Sequence, residues 1–511
     1  MKKIASLILA VAILVTTFAG CGSSKGNASA AASTEKKKIT FAVATDITTL
    51  DPRNAAGTST AMVLLHMFNA LTKTDANGKV VGDLAESYKS VNDTTWEFKL
   101  KKGVTFQNGE VFNAKAVKYT VDTLQDPKSK FKIAADFSFI KEIKIVDDYT
   151  IQLITKKPYS GTPLRLTYLM IIPPEYTKKI GDKEFAKKPV GTGAYKFVER
   201  VKDQKVVMEA YDKYFGGKPK IDTVTFKCIP EDASRVSALQ SGEVDIISAV
   251  PTSQMDLLKS NSKITVVAKP TSRVIYVGMN TTIDSPLKNV KVRQAINYAV
   301  DKNSIIKDVL NGNGSILANI STPQYAGYDS TLKPYEYNPT KAKQLLTEAG
   351  FPNGFSITMD TTTGYLNGND VMQAVSAQLK KVGITVKLVE KDSSLLREEM
   401  ASHKTDPLFI NGIGGPYADL ELIGRIGFGT GERYSTYSNK ENDALRTKAS
   451  QTIDATTANK EWSQYQQAIQ SDAAALFMYQ QHGIYAYNKK VLNWEPRIDE
   501  MIKVDQADIQ N

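Results

Sequence analysis

Apolar and polar positions alternate in short stretches along this chain, and segments of helical period run between them. Lys38-Ile39-Thr40-Phe41-Ala42-Val43 and Thr95-Trp96-Glu97-Phe98-Lys99-Leu100 put every second side chain on one apolar face, the pattern of a half-buried strand. Residues 151–154, 264–267 and 384–388 read as further strands, rich in the β-branched residues that suit a pleated surface. The helices carry their own punctuation. Asp232 is placed to cap a helix over 233–240, with Gly242 just past its end. Asn338-Pro339 opens a helix over 340–349 with Gly350 as the stop, and a helix over 370–382 ends at Gly383, where a strand begins at once. Strands and helices in alternation predict an α/β protein whose sheet is covered by helices. No repeat of solenoid or propeller period is present.

One segment obeys neither period. Met1-Lys2-Lys3 is followed by residues 4–18, which are free of charge and rich in Ile, Leu, Val and Ala, and then by Ala19-Gly20-Cys21-Gly22-Ser23. A basic start, a short apolar run and small residues describe an export leader over 1–20, too short to span a bilayer. Small residues directly before a Cys that Gly-Ser follows resemble a bacterial lipobox. That resemblance implies cleavage before Cys21, diacylglycerol on its Sγ and anchoring to the outer face of the cell membrane. Residues 22–34, made of Ser, Ala, Gly and Asn, then read as part of a flexible tether over 21–38.

Composition narrows the possibilities further. A chain of 511 residues exceeds one ordinary core, so two or more lobes are expected. Two cysteines exclude a disulfide framework, and with Cys21 used as the anchor, Cys228 is left alone on the apolar face of residues 224–228, where a buried, inert thiol is expected. The net charge of +11 falls to +9 once Lys2 and Lys3 leave with the leader, and the remaining lysines are scattered singly and in pairs between acids. No stretch interleaves Arg with aromatics, so a nucleic-acid partner is not expected.

The usual signatures of catalysis are missing. There is no phosphate-binding Gly-x-x-x-x-Gly-Lys-Ser/Thr, and the glycines of 191–193, 411–415 and 427–431 lack dinucleotide spacing and read as turns or close backbone approaches. Gly22-Ser23-Ser24-Lys25-Gly26 fits the nucleophile-elbow pattern only by accident, because it lies in the tether. His66, His403 and His482 are the only histidines; none is paired at ligand spacing, and each reads as packing or surface. Neither a resident metal nor any other cofactor is expected.

Several segments in order resemble the extracytoplasmic solute-binding proteins that serve peptide and nickel ABC importers, solute-binding protein family 5. They are Leu50-Asp51-Pro52; Leu84-Ala85-Glu86-Ser87-Tyr88; Gly103-Val104-Thr105-Phe106-Gln107-Asn108-Gly109-Glu110; and Pro189-Val190-Gly191-Thr192-Gly193-Ala194-Tyr195. Ser241-Gly242-Glu243-Val244-Asp245, Val292-Arg293-Gln294-Ala295-Ile296-Asn297-Tyr298 and Tyr335-Glu336-Tyr337-Asn338-Pro339 continue the series, so that the likeness covers residues 41–499. The resemblance implies a two-lobed, type II periplasmic-binding-protein-like α/β fold with an additional subdomain in the first lobe. The expected division is first lobe 39–79, inserted subdomain 80–188, first lobe again 189–270, second lobe 271–480, and a C-terminal return to the first lobe over 481–511. Strand crossings near 269–271 and 480–485 would then be the hinges. The implied function is that of a lipid-anchored, monomeric, non-enzymatic receptor. It would capture a peptide or peptide-like solute and deliver it to a separately encoded permease and its ATPases.

The solute is addressed by one stretch. In the peptide binders a Trp-x-x-Asp-x-x-Asp-Pro run follows the strand corresponding to 406–410, and its first Asp pairs with the peptide's α-ammonium. Here Pro416 stands at that Asp, and Asp419 remains. Gly415-Pro416-Tyr417 also resembles the nickel-binding branch, with Glu421 where that branch carries a histidine. A nickel or metal-chelate receptor, with an opine-like metallophore as cargo, is therefore the alternative. A secreted lipoprotein hydrolase, or a sensory or adhesive lipoprotein without a transport partner, stands behind it. The ligand-contact candidates are Tyr365, Tyr417, Asp419, Glu421, Arg425, Met279, Asn280, Thr45, Asp46 and Thr48. Arg425, one helical turn beyond Glu421, is equally placed to pair with it.

Overall fold

The computed structural model describes residues 36–510, apart from residue 56, residues 76–77 and residues 416–418. Cys21, the leader and Tyr417 lie outside the described residues. Two long strands, Ile264–Met279 and Ala475–Asn488, run antiparallel through the middle of an eleven-stranded sheet and belong to both lobes. On one side the sheet continues through Ile246–Ser248, Lys38–Val43, Thr223–Cys228, Lys205–Ala210 and Tyr195–Val201, the framework of the first lobe. On the other it continues through Leu408–Ile413, Phe355–Thr361 and Ile384–Glu390, the framework of the second.

The long pair slips register twice, and the first slip falls at a position its sequence dictates. Ile264 through Pro270 pair with Asn488 through His482, and the register then slips before Val274 meets Gln480. Pro270 has no N–H to donate, so the ladder weakens there. Side chains take over: Thr271 Oγ1 donates to Gln481 O at 2.8 Å, and Gln480 Nε2 donates to Thr271 O at 2.6 Å.

Each lobe has its own core. Phe41, Phe226, Met67 and Trp494 bury in the first, and Ile296, Val375, Met359 and Phe409 in the second. A third core belongs to the inserted subdomain. Its antiparallel sheet of Ala85–Asn92, Thr95–Leu100, Thr150–Thr155 and Ile140–Asp147 is covered by helix Ala114–Gln125. Strand alternation puts Trp96, Phe98 and Leu100 inward against Val117 and Val121 of that helix. The glycines of Pro189-Val190-Gly191-Thr192-Gly193 allow the first lobe to close on itself. A Cβ on Gly191 would stand 2.1 Å from Met67 O and one on Gly193 2.4 Å from His66 O, so only glycine fits beneath the end of helix Thr58–Met67.

Local expectations needed two corrections. Asp232 is the first residue of helix Asp232–Ser241 rather than its cap, because its carboxylate turns to Arg235 one turn on; Gly242 closes the helix in the left-handed conformation, as expected. Cys228 is half-buried, not buried: it ends its strand, where the sheet no longer covers it, and partial burial raises its thiol pKa.

Candidate functional site

Two chambers open between the lobes. The smaller, of about 600 Å³, is lined by Tyr159 and Leu164 from the subdomain, Asp499 from the C-terminal return, and Ser272, Tyr325, Asp419, Glu421 and Trp462 from the opposite side. The larger, of about 1060 Å³, is lined by Thr45, Ser59 and Arg235 from the first lobe, Tyr365 and Asn367 from the second, and His482, Gly483 and Tyr485 from the shared strand. Asp499 faces one chamber and its neighbour Glu500 the other.

The acidic wall of the smaller chamber is set by helix Leu420–Phe428. Asp419 is its N-cap and accepts from Leu422 N at 2.6 Å, which fixes the carboxylate at the helix start. Glu421 follows in the first turn, where the helix dipole favours negative charge. Both are met from the subdomain by Arg165, whose Nη2 lies 3.1 Å from Glu421 Oε2 and 3.5 Å from Asp419 Oδ1. Tyr159 donates its hydroxyl to Glu421 Oε2 at 3.2 Å and accepts from Arg165 Nη2 at 3.1 Å. From the second lobe, Arg425 Nε at 3.2 Å and Arg446 Nη1 at 3.4 Å hold Glu421 Oε1. Burial opposes the charge on Arg165, but the facing carboxylates outweigh it and keep the guanidinium protonated. Burial raises the Asp419 carboxyl pKa, Arg165 lowers it, and Glu421 adds to the rise. A second link crosses beside this cluster: Ser160 donates from both N and Oγ to Ser450 O at 3.0 Å.

Between the chambers, Arg273 grips Glu500 through two bonds, Nε to Oε1 at 2.9 Å and Nη2 to Oε2 at 2.5 Å, and its Nη1 donates to Gly412 O at 3.3 Å. Glu500 holds a φ of 61°, a strained value for a side-chain-bearing residue that this bidentate pair offsets. In the larger chamber Tyr365 donates its hydroxyl to Asn411 Oδ1 at 3.3 Å, and Asn411 Nδ2 donates to Tyr276 at 2.7 Å. The Tyr365 ring lies over Gly412, where a Cβ would approach its Cε1 to 2.6 Å. Thr252 Oγ1 donates to Asn367 Oδ1 at 3.3 Å across the lobes.

Among the sequence candidates, Tyr365 and Thr45 line the larger chamber and Asp419 and Glu421 the smaller. Arg425 lines neither; its charge goes to Glu421 and Glu432. Asp46 is turned away by Arg200 and the Asp203 amide at 2.9 and 3.0 Å; burial tends to raise its pKa, yet these bonds leave it lowered. Thr48 bonds Thr60, and Met279 and Asn280 are buried in the second lobe, where the Asn280 Oδ1 accepts from Thr282. Of the histidines, His66 is packed in the first core and His403 bonds Glu432 O, but His482 lines the larger chamber and meets Ser315 Oγ at 3.0 Å. Tyr159, Arg165, Arg273 and Glu500 escaped sequence reasoning. They stand outside any local motif, and only the closure of one lobe on the other assembles them.

A two-lobed α/β body with a strand pair shared by both lobes and paired chambers between them has the architecture of the extracytoplasmic solute-binding proteins. The family model "Bacterial extracellular solute-binding proteins, family 5 Middle" matches residues 79–432, and the chain belongs to this family. It is the substrate-binding component of an ABC importer. The glutathione-binding protein GsiB of Pectobacterium atrosepticum is 30% identical over 488 residues, covering 93% of this chain and 94% of that protein. The oligopeptide-binding protein AppA of Bacillus subtilis, solved with a nonapeptide, is 26% identical with a TM-score of 0.81, covering 93% of this chain and 100% of that one. The binding protein AgaA of A. tumefacien R10, solved with agropinic acid, is 27% identical with a TM-score of 0.80, covering 93% and 99%.

Proposed function

We propose that this chain is a receptor held at the membrane by lipid on Cys21, which captures a peptide or peptide-like solute between its lobes and presents it to a separately encoded permease with its ATPases. The observation that carries the reading is the pair of chambers whose walls come from both lobes. A solute touching both walls binds the closed form better than the open one, and this difference alone can drive closure. Relatives that bind glutathione, a nonapeptide and agropinic acid support a solute built from amino acids or their conjugates. The chambers also suit such a solute in kind, with Tyr159, Tyr325, Trp462 and Tyr365 as apolar walls and a few fixed charges to orient it.

The test is a thermal-shift panel on the purified full-length chain with di- and oligopeptides, glutathione, amino acids, opines, and nickel with and without histidine. A true solute raises the melting midpoint, by an amount that grows with the logarithm of its concentration over Kd. If only nickel–histidine shifts it, the metal-chelate alternative takes over, and if nothing shifts it, a peptide-like solute is the wrong reading. Cys21→Ser is expected to release the protein from membranes, measured by fractionation; unchanged retention would remove the lipid anchor from the account.

A further inference from the structure

The chain is basic, with a net charge of +11, yet the larger chamber is acidic. Glu231, Asp232, Asp370, Asp392 and Glu500 line it, against Arg235 as its only Arg or Lys. Arg235 is already spent: its Nη1 donates to Ile229 O and Pro230 O at 3.0 and 2.7 Å, and its Nη2 pairs with Asp232. Glu500 is claimed by Arg273. Among the described residues Glu231, Asp370 and Asp392 have no ion pair. His482 adds no charge near neutrality, because burial lowers its pKa.

The unpaired acids sit on opposite walls. Glu231 precedes helix Asp232–Ser241 of the first lobe, whereas Asp370 lies in the first turn of helix Gly368–Lys380 and Asp392 caps helix Ser393–Ala401 of the second. Closing the lobes brings these acidic side chains towards one another, and backbone bonds from Ser394 and Leu395 hold the Asp392 pKa below the usual carboxylate range. A cation between the walls turns their repulsion into attraction. A second observation points the same way: Gln481, a half-buried residue of the chamber wall, has no donor to its Oε1. A solute N–H placed there satisfies it.

We propose that the solute bound in the larger chamber is cationic, a short peptide or peptide-like molecule carrying at least one basic side chain. The inference rests on the peptide-like reading above but does not stand or fall with it. Titration calorimetry of the full-length chain with Lys-Ala-Lys, Ala-Ala-Ala, Glu-Ala-Glu and 1,5-diaminopentane separates the two. Lys-Ala-Lys is expected to bind about tenfold tighter than Ala-Ala-Ala at low salt, an advantage that shrinks several-fold near 0.5 M salt as screening shortens the reach of the wall charges. The double variant Glu231→Gln/Asp370→Asn should lose most of that preference. If Ala-Ala-Ala or Glu-Ala-Glu binds as tightly as Lys-Ala-Lys, the charge inference is overturned and the peptide reading survives. If no peptide binds but diaminopentane does, the peptide reading falls and the charge inference stands. If neither peptides nor diaminopentane bind, the charge inference is overturned.

Discussion

Replacing Arg165 by Met removes the one cation that reaches the acidic wall of the smaller chamber from the subdomain. Arg165 is 5% exposed, and its partners Asp419 and Glu421 are 8% exposed. Breaking a buried pair from one side costs about 3–5 kcal/mol, because the partner charge stays behind in a poorly solvated place. Here Arg425 and Arg446 still hold Glu421 at 3.2 and 3.4 Å, so the unpaired burden falls on Asp419 and the cost drops to about 2–3 kcal/mol. The pair crosses from one lobe to the other, so the protein can escape this cost by opening rather than unfolding. A penalty of that size moves the closed-to-open ratio by a factor of about 30–150. Small-angle scattering of the solute-free chain should show a larger radius of gyration for Arg165→Met. Trp462 fluorescence should shift to the red as water enters the chamber that it lines. Arg165→Lys should recover part of the effect, since a point charge replaces the fork that reaches two carboxylates and Tyr159 together. Superimposable scattering curves and unchanged fluorescence for Arg165→Met would refute the idea that this cluster holds the lobes together.

Gly412→Ala would drive a methyl into the Tyr365 ring and against the buried Ile275, so solute affinity should fall at least about tenfold and the melting midpoint should drop as well; unchanged affinity would place Tyr365 outside the binding surface. Lys302 is buried and its pKa is pulled down to about 8 from 10.5, so its burden is full below about pH 8 and fades as pH rises towards 10.5. Lys302→Met should therefore stabilise the chain by about 1–3 kcal/mol at pH 7, and a melting curve at pH 10 should show a smaller gain. Burial depresses the His66 pKa to about 4, so the unfolded chain binds the extra proton between about pH 6.5 and 4 and stability is lost as pH falls through that window. His66→Phe should flatten that loss in a pH series of denaturant midpoints, and an unaltered slope would assign the acid sensitivity to other groups.

Much of the local structure was legible because its causes are local. The strands Lys38–Val43 and Thr95–Leu100 occur at the residues their alternation marks, and helix Pro339–Glu348 starts where Asn338 caps the Lys341 amide. The position of Asp419 and Glu421 at the head of a helix follows from the glycine-rich strand end before them. Asp232 departs from expectation because it turns to Arg235 rather than the helix amides, Asp46 pairs with Arg200, and Arg425 takes the Glu421 pairing that its spacing already allowed. Met279 and Asn280 end a strand that faces helices rather than the cleft, a choice that periodicity alone does not make.

The sequence by itself determined the alternating α/β layers, the family pattern along residues 41–499 and the absence of familiar catalytic motifs, because each depends on neighbours in the chain or on ordered short motifs. Only the tertiary structure decided what the cleft is made of. Arg165 meets Glu421 across 256 residues, Arg273 meets Glu500 across 227, and the unpaired acids of the larger chamber come from both lobes. Such contacts depend on where two separately cored bodies touch. That is fixed by the geometry of the sheet and its interruption at Pro270, not by any residue's near neighbours.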